Sequence, residues 1–439
     1  MSTTLNSLKQ ENCIAPPHSS EEAGWMAGIT VLLFFLPKIN LFSMNGETAG
    51  LRIDDVVLLI IACWLLFGVV VYGRRAMLPV EISGACYSFW CLLSNGLNIA
   101  IYSQSSVLYT IRFIEYFVFF YLGSLYAERH RIRPLAVWLL IANGAAIIFQ
   151  SLHLIGGFSS EGFKPSLDRP IGLAGGPWEV GAIINFCLAV LIFDKTIKFR
   201  RVFAYFAITF GLLLVTGARI ALFANFVLLI LWMKKVLWKR KDKALWIVTT
   251  GLCVGIFFSA LLLIPNKLTK RSEATFTKDN ADYFIKLYGL IDPAKTSPSD
   301  LFEKLGRPDS ADTDSSWLMR ASKWAVATKL WIQTPTAWVF GVGPGTWGPA
   351  LDGGWIRLIT ETGIVGFILF IQVFRRAVSS IASYGVVACL YVNMLMIDMH
   401  LAYKAMSFVL FAVGYYCAKS TSGDSKELVG QLVGDSVCF

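Results

Sequence analysis

Charge is scarce in this sequence: Asp, Glu, Lys and Arg make up 15% of 439 residues, against 56% hydrophobic. A soluble chain of this length would lack the polar surface to stay in solution, which excludes an ordinary globular enzyme. Histidine is rarer still, with four in the whole chain, and His153 and His400 stand alone without the partner spacing of a metal site. No cysteine falls in an outward-facing loop: seven of the nine lie inside apolar stretches, and Cys13 and Cys438 are in the tails. That placement excludes a disulfide framework and leaves them as small core hydrophobes. The phosphate loop GxxxxGK[ST] is missing, so no ATP-driven pump is encoded, and HExxH, CxxC and GxSxG are missing too. No internal repeat and no low-complexity tract is visible.

What is present is a series of long apolar runs. Crossing a hydrocarbon layer of about 30 Å as a helix takes about 20 apolar residues. Twelve stretches approach this: 23–37, 54–72, 79–97, 107–127, 134–155, 177–193, 201–217, 218–233, 244–264, 356–373, 377–397 and 402–418. Their continuous apolar character predicts helices, because barrel strands alternate. The expected fold class is therefore an all-α polytopic membrane protein of about 12 transmembrane helices with one large external loop. Its parts are a cytoplasmic tail (1–22), helices 1–9 (23–264), the loop (265–354), helices 10–12 (355–418) and a second cytoplasmic tail (419–439). The first span is not read as a cleaved signal, because Glu21 and Glu22 stand where a signal peptide is basic.

Orientation follows from the basic residues. Alternate short loops hold seventeen Lys and Arg, including Arg74, Arg129, Lys195 and Arg375, while the intervening ones hold six. Positive-inside bias then puts both termini in the cytoplasm and the 265–354 loop outside. The net charge of +10 is explained by this topology signal and calls for no nucleic acid. Within the loop, Trp317–Trp331 has the pattern of an amphipathic helix lying on the membrane surface.

Ionisable residues inside or beside the spans gather at their outer ends, which points to a shared polar cavity opening outward. Arg112 and Glu115 are spaced either as a structural pair or for ligand contact. Arg219 follows Gly217, a residue suited to a left-handed turn, and reads either as a snorkelling anchor or as an anion binder. Asp54-Asp55 suit a helix N-terminus. The Asp312-Thr313-Asp314 run mimics a nucleotide-sugar metal site, but no nucleotide sugar exists on the external side. An external enzyme without nucleotide needs a pre-activated substrate, and a sugar on a polyprenyl diphosphate is the natural one. Arginine forks bind and stabilise such a diphosphate.

The runs LRIDDVVLLI (51–60), LYTIRFIEYFVFFYLG (108–123), RPIGLAGGPWEVGA (169–182) and VTGARIALFANF (215–226) form an ordered set. SWLMRASKWAVA (316–327) and GVGPGTWGPALDGGWIRLITETGIVGF (341–367) continue it. Together they resemble the bacterial O-antigen polymerase and O-antigen ligase superfamily, membrane glycosyltransferases with one large periplasmic loop. The resemblance implies that Arg219 and Arg320 hold the carrier diphosphate, with Arg112, Arg169, Arg357 and His400 as further substrate-binding candidates. Ligases of the family carry a His after the G-x-G stretch, whereas Ala350–Trp355 here has only Asp352 as a titratable group. That favours a polymerase, with Asp352 either orienting or deprotonating the acceptor hydroxyl, or forming a turn before Gly-Gly. Trp317, Trp324, Trp347 and Trp355 are read as interface anchors or as platforms for sugar rings. The implied partners are undecaprenyl-diphosphate oligosaccharides and the inner-membrane bilayer, with a chain-length regulator and a flippase beside them; no metal or cofactor is expected. A ligase and a glycolipid transporter are the alternatives.

Overall fold

A computed structural model describes residues 20–36, 40–43, 50–72, 78–102, 107–159, 162–194, 196–238, 315–348 and 351–421, with isolated helical positions at 248, 251, 255, 282, 285, 288 and 289. The described chain is mostly helical. Its strands are two short antiparallel pairs, β1 (Asn40–Ser43) with β2 (Gly50–Arg52) and β3 (Gly157–Ser159) with β4 (Gly162–Lys164). In chain order the helices begin with α1 (Ser20–Phe35), α2 (Ile53–Tyr72), α3 (Pro79–Tyr102), α4 (Val107–Arg129) and α5 (Ile132–Ser151). Next come α6 (Pro177–Ile192), α7 (Phe199–Thr216) and α8 (Arg219–Trp238). The loop region supplies α9 (Ser315–Gln333) and α10 (Pro335–Phe340), followed by α11 (Gly354–Ala377), α12 (Ile381–Asn393) and α13 (Tyr403–Thr421).

A helix stands on eleven of the twelve apolar stretches; the remaining one, 244–264, and the Asp312–Asp314 run lie almost wholly outside the described residues. Among the described helices, α5, α7 and α11 are long and apolar enough to cross a membrane by length and composition, and α6 and α12 are apolar but shorter. These helices are compatible with a membrane protein.

A short apolar helix, α6, is enclosed on all sides. From Glu179 to Ile192 every residue of α6 is buried, as expected of a helix that is apolar on all sides. It packs against α5, α7, α8, α12 and α13. Asn185, Asn225 and Thr209 join α6, α8 and α7 through buried side-chain hydrogen bonds, with Asn225 Nδ2 3.1 Å from both Asn185 Oδ1 and Thr209 Oγ1.

The tightest helix pair is α4 with α13, and its closeness has a local cause. A Cβ on Gly123 would overlap the Phe411 carbonyl, and one on Gly414 would overlap the Phe120 carbonyl. The two backbones touch reciprocally at small residues, and Ser124 Oγ adds a hydrogen bond to Gly414 O at 3.2 Å. Gly123→Ala or Gly414→Ala should therefore push the helices apart, a cost of about 1–3 kcal/mol. Gly211, with open space around it, is the control: Gly211→Ala should stabilise slightly, by up to about 1 kcal/mol. Thermal unfolding in detergent compares them; equal melting temperatures for Gly123→Ala and Gly211→Ala would rule the contact out as the cause.

Candidate functional site

The G-x-G run and the ETGIVG run, 20 residues apart, meet at a break in α11. Gly363 has φ 69° and ψ −178°, which interrupts the helix after Thr362. A break deprives the preceding carbonyls of their helical partners, and a buried helix end must find others. Here each one is met. The Val342 NH donates to Thr360 O at 2.9 Å and the Gly343 NH to Glu361 O at 3.0 Å. Trp90 Nε1 of α3 donates to Thr362 O at 2.8 Å. Ser94 Oγ lies 2.5 Å from Phe340 O and 3.3 Å from Glu361 O, and Asn98 Nδ2 donates to Gly341 O at 3.2 Å. The backbone contact is so close that a Cβ at Gly341 or Gly363 would overlap the facing main chain. Gly341 and Gly363 are thus explained by docking geometry.

On the N-terminal side of the break sits a buried ion cluster. Arg357 is fully buried and its guanidinium is used on three sides. Nε donates to Glu361 Oε1 at 3.0 Å, Nη1 to Asp398 Oδ2 at 2.9 Å and Nη2 to Gly348 O at 2.6 Å. The Asp398 carboxylate in turn accepts three successive backbone NH groups, from Leu351 (2.7 Å), Asp352 (3.2 Å) and Gly353 (3.0 Å). Burial pushes its pKa up, but the Arg357 guanidinium, His400 and the Gly353 NH more than offset this and hold it below the usual range. Arg357, read from the sequence as a substrate-binding candidate, therefore acts on the protein itself: it ties Gly348 and, through Asp398, the 351–353 strap to α11 and to the α12–α13 connection.

The strap fixes Asp352. Its backbone is left-handed at φ 60°, a conformation Asp tolerates better than most residues, and the NH held by Asp398 keeps it there. Trp324 of α9 packs on the strap and donates Nε1 to Leu351 O at 3.2 Å. The Asp352 carboxylate then meets Arg320, with Nε 3.2 Å from Oδ2 and the side chains 31% and 37% exposed. A pair this accessible contributes about 0.2–1 kcal/mol. One turn further along α9, Lys323 is half-buried within electrostatic reach of Asp352, Asp398, Arg357 and Arg320. Burial lowers its pKa first, the two carboxylates oppose that shift, and the two arginines add to it. Sequence reasoning missed Lys323, although its i, i+3 spacing from Arg320 and its place beside Trp324 were available as a signal.

His400 is buried beside this cluster, its ring 6.2 Å from that of Phe370 and its Nδ1 without a hydrogen-bond partner among the described residues. Burial drives its pKa down to about 4, so the imidazole is neutral near pH 7 and is enclosed by protein. Arg112 stands half-buried on α4, one turn before Tyr116, whose hydroxyl donates to Leu401 O at 3.0 Å. Its helix thus borders the same connection.

The other candidates form a second group. Gly217 adopts φ 64°, the left-handed conformation expected of it, and ends α7. Arg169 reaches this turn and caps it: Nε and Nη2 donate to Thr216 O at 3.0 and 2.9 Å, and Nη2 to Gly217 O at 2.7 Å. Arg219 begins α8 two residues later and is half-buried. Arg169 belongs to an irregular buried loop that borrows partners from several helices. Gln150 Oε1 accepts from the Ile171 and Gly172 NH groups at 2.9 and 2.8 Å, and Asn143 Oδ1 from Leu173 at 3.1 Å. The buried Lys404 ammonium donates to Leu173 O at 2.7 Å and also to Leu36 O, and the Lys404 NH to Glu179 Oε1 at 3.1 Å.

The tryptophans sort differently from expectation. Trp347 is 2% exposed and donates to Thr360 Oγ1 at 3.0 Å, so it is a core residue, neither an interface anchor nor a free platform. Trp355 is half-buried and donates to Tyr391 O at 3.0 Å. The side chain of Trp317 lies outside the described residues.

Fold and site together define a helical bundle with apolar helices compatible with a membrane, carrying a charged group on a strap clamped to a broken helix. No protein-family model matches the chain, and no curated protein matches it.

Proposed function

We propose that the chain is an integral-membrane glycosyltransferase of about 12 spans that polymerises undecaprenyl-diphosphate-linked oligosaccharides on the periplasmic face of a bacterial inner membrane, with both termini cytoplasmic. The observation that carries this reading is the meeting of Arg320 and Asp352, 32 residues apart in sequence, on one rigid platform. A cation for the diphosphate and a carboxylate for the acceptor stand side by side. In the reaction the acceptor hydroxyl oxygen attacks the anomeric carbon of the donor sugar. The bond from that carbon to the diphosphate breaks, and its electrons leave with the carrier diphosphate. The hydroxyl proton passes to Asp352. Arginine donors face the charge that develops on the leaving group, the general form of electrostatic catalysis. Arg219 belongs to the separate group at the Gly217 turn, and its part in holding the carrier diphosphate rests on the family resemblance alone.

The break in α11 bears on the transporter alternative. Transporters use broken helices to present bare backbone groups to a substrate. Here the carbonyls of 360–362 are capped by Val342, Gly343 and Trp90, so they are not offered to a ligand.

Purified protein incubated with lipid-linked repeat units should lengthen the chains without any other protein, which pure transport does not do. Arg219→Ala, Arg320→Ala and Asp352→Asn should each lower chain growth about 100-fold or more while the protein stays folded. Full activity in all three variants would remove the site. Transfer to lipid A core in place of chain growth would convert the reading to a ligase.

A further inference from the structure

Three cations, Arg320, Lys323 and Arg357, face three carboxylates, Asp352, Glu361 and Asp398, in this cluster. The two halves of the cluster differ in kind. Arg357, Glu361 and Asp398 are buried and bound to one another and to backbone. Arg320, Lys323 and Asp352 are partly exposed, and the Asp352 carboxylate contacts Arg320 through a single bond of 3.2 Å. A carboxylate held by one exposed arginine with a lysine nearby is in the position that a phosphate oxygen would take.

We infer that Arg320 and Lys323 form a diphosphate-binding site whose resident anion is the Asp352 side chain, displaced when the ligand arrives. The inference rests on the reading of Arg320 as a diphosphate contact and deepens it in two ways. It adds Lys323 as a second binding residue, and it makes Asp352 a competitor for the site before it becomes a partner of the acceptor.

The geometry lets this exchange happen without moving the backbone. Asp398 holds the NH groups of 351–353, and Trp324 lies so close that a Cβ on Gly353 would crowd its indole. Only the Asp352 side chain needs to turn. Its departure uncovers the Arg320 guanidinium, with Lys323 one turn further along the same helix, and an anionic phosphate oxygen takes the place of the carboxylate. It also separates Asp352 from Arg320.

The test is a titration of the full-length protein in detergent at low salt with inorganic pyrophosphate, read by calorimetry. Asp352→Asn keeps a residue that tolerates the left-handed backbone while removing the competing charge. Its affinity for pyrophosphate should be about tenfold tighter than wild type, since an occupied site reduces apparent affinity by the occupied fraction and a like charge adds repulsion. Lys323→Met in the Asp352→Asn background should lose about tenfold, and Arg320→Met should abolish binding. Unchanged melting temperatures identify folded variants. Farnesyl diphosphate in the same detergent distinguishes the source: a lipid-borne diphosphate binds more tightly than pyrophosphate, a free one equally. Wild-type binding that Arg320→Met removes, with no tightening in Asp352→Asn, overturns the competition and leaves the diphosphate contact standing. Failure of every variant to bind either probe overturns both.

Discussion

Arg357→Met is expected to be the most damaging single substitution in the described chain. Removing the guanidinium leaves the buried carboxylates of Glu361 and Asp398 facing one another without their shared cation, and frees the Gly348 carbonyl. Breaking a buried ion pair from one side costs about 3–5 kcal/mol, a large part of the roughly 5–15 kcal/mol that holds a typical protein folded. Arg357→Lys should recover little, because one ammonium cannot replace three donors aimed in three directions. Arg357→Met combined with Asp398→Asn should be less destabilised than the two single effects added, since the second change removes a stranded charge. Thermal unfolding in detergent and the yield of folded protein in membranes measure all of these. A melting temperature for Arg357→Met close to that of wild type would show the cluster to be dispensable.

Gly363→Ala carries the second large effect. The residue sits at φ 69° in the break of α11, and a Cβ there would overlap the Val339 carbonyl across the dock. The left-handed backbone costs a residue with a Cβ about 1–2 kcal/mol, and the overlap adds about 1–3 kcal/mol more. Loss of the dock would reach the proposed site as well. The 341–348 turn carries Gly348, whose carbonyl holds Arg357, and Arg357 holds Asp398 beneath Asp352. Gly363→Ala should therefore lower both melting temperature and chain growth, whereas Gly348→Ala, at φ 67° with open space around it, should show only the backbone term. Equal losses from the two would mean that the dock itself contributes nothing.

Continuous apolar runs marked where helices stand, because the hydrophobic length of a helix is written in consecutive residues, and eleven of twelve stretches coincide with one. The left-handed turn at Gly217 was equally legible, since a Gly between two apolar helices is a local signal. The charged residues were another matter. Their residue types were visible, but not their partners, and a single pooled cavity was the natural expectation. The structure sorts them into two groups of hydrogen bonds. Arg169 caps a helix 47 residues away, Arg357 pairs with Asp398 from 41 residues further on, and Lys404 ties down carbonyls from the first helix and the 169–176 loop.

From residue order alone follow the helical class, the places of most helices, the glycine turn and the set of cations worth watching, all of them properties of neighbours in the chain. The three-dimensional packing alone decided which arginines are consumed by the fold and which, with Lys323, remain at an accessible carboxylate. A charge is defined by what surrounds it, and its surroundings come from segments that meet only after the chain has folded.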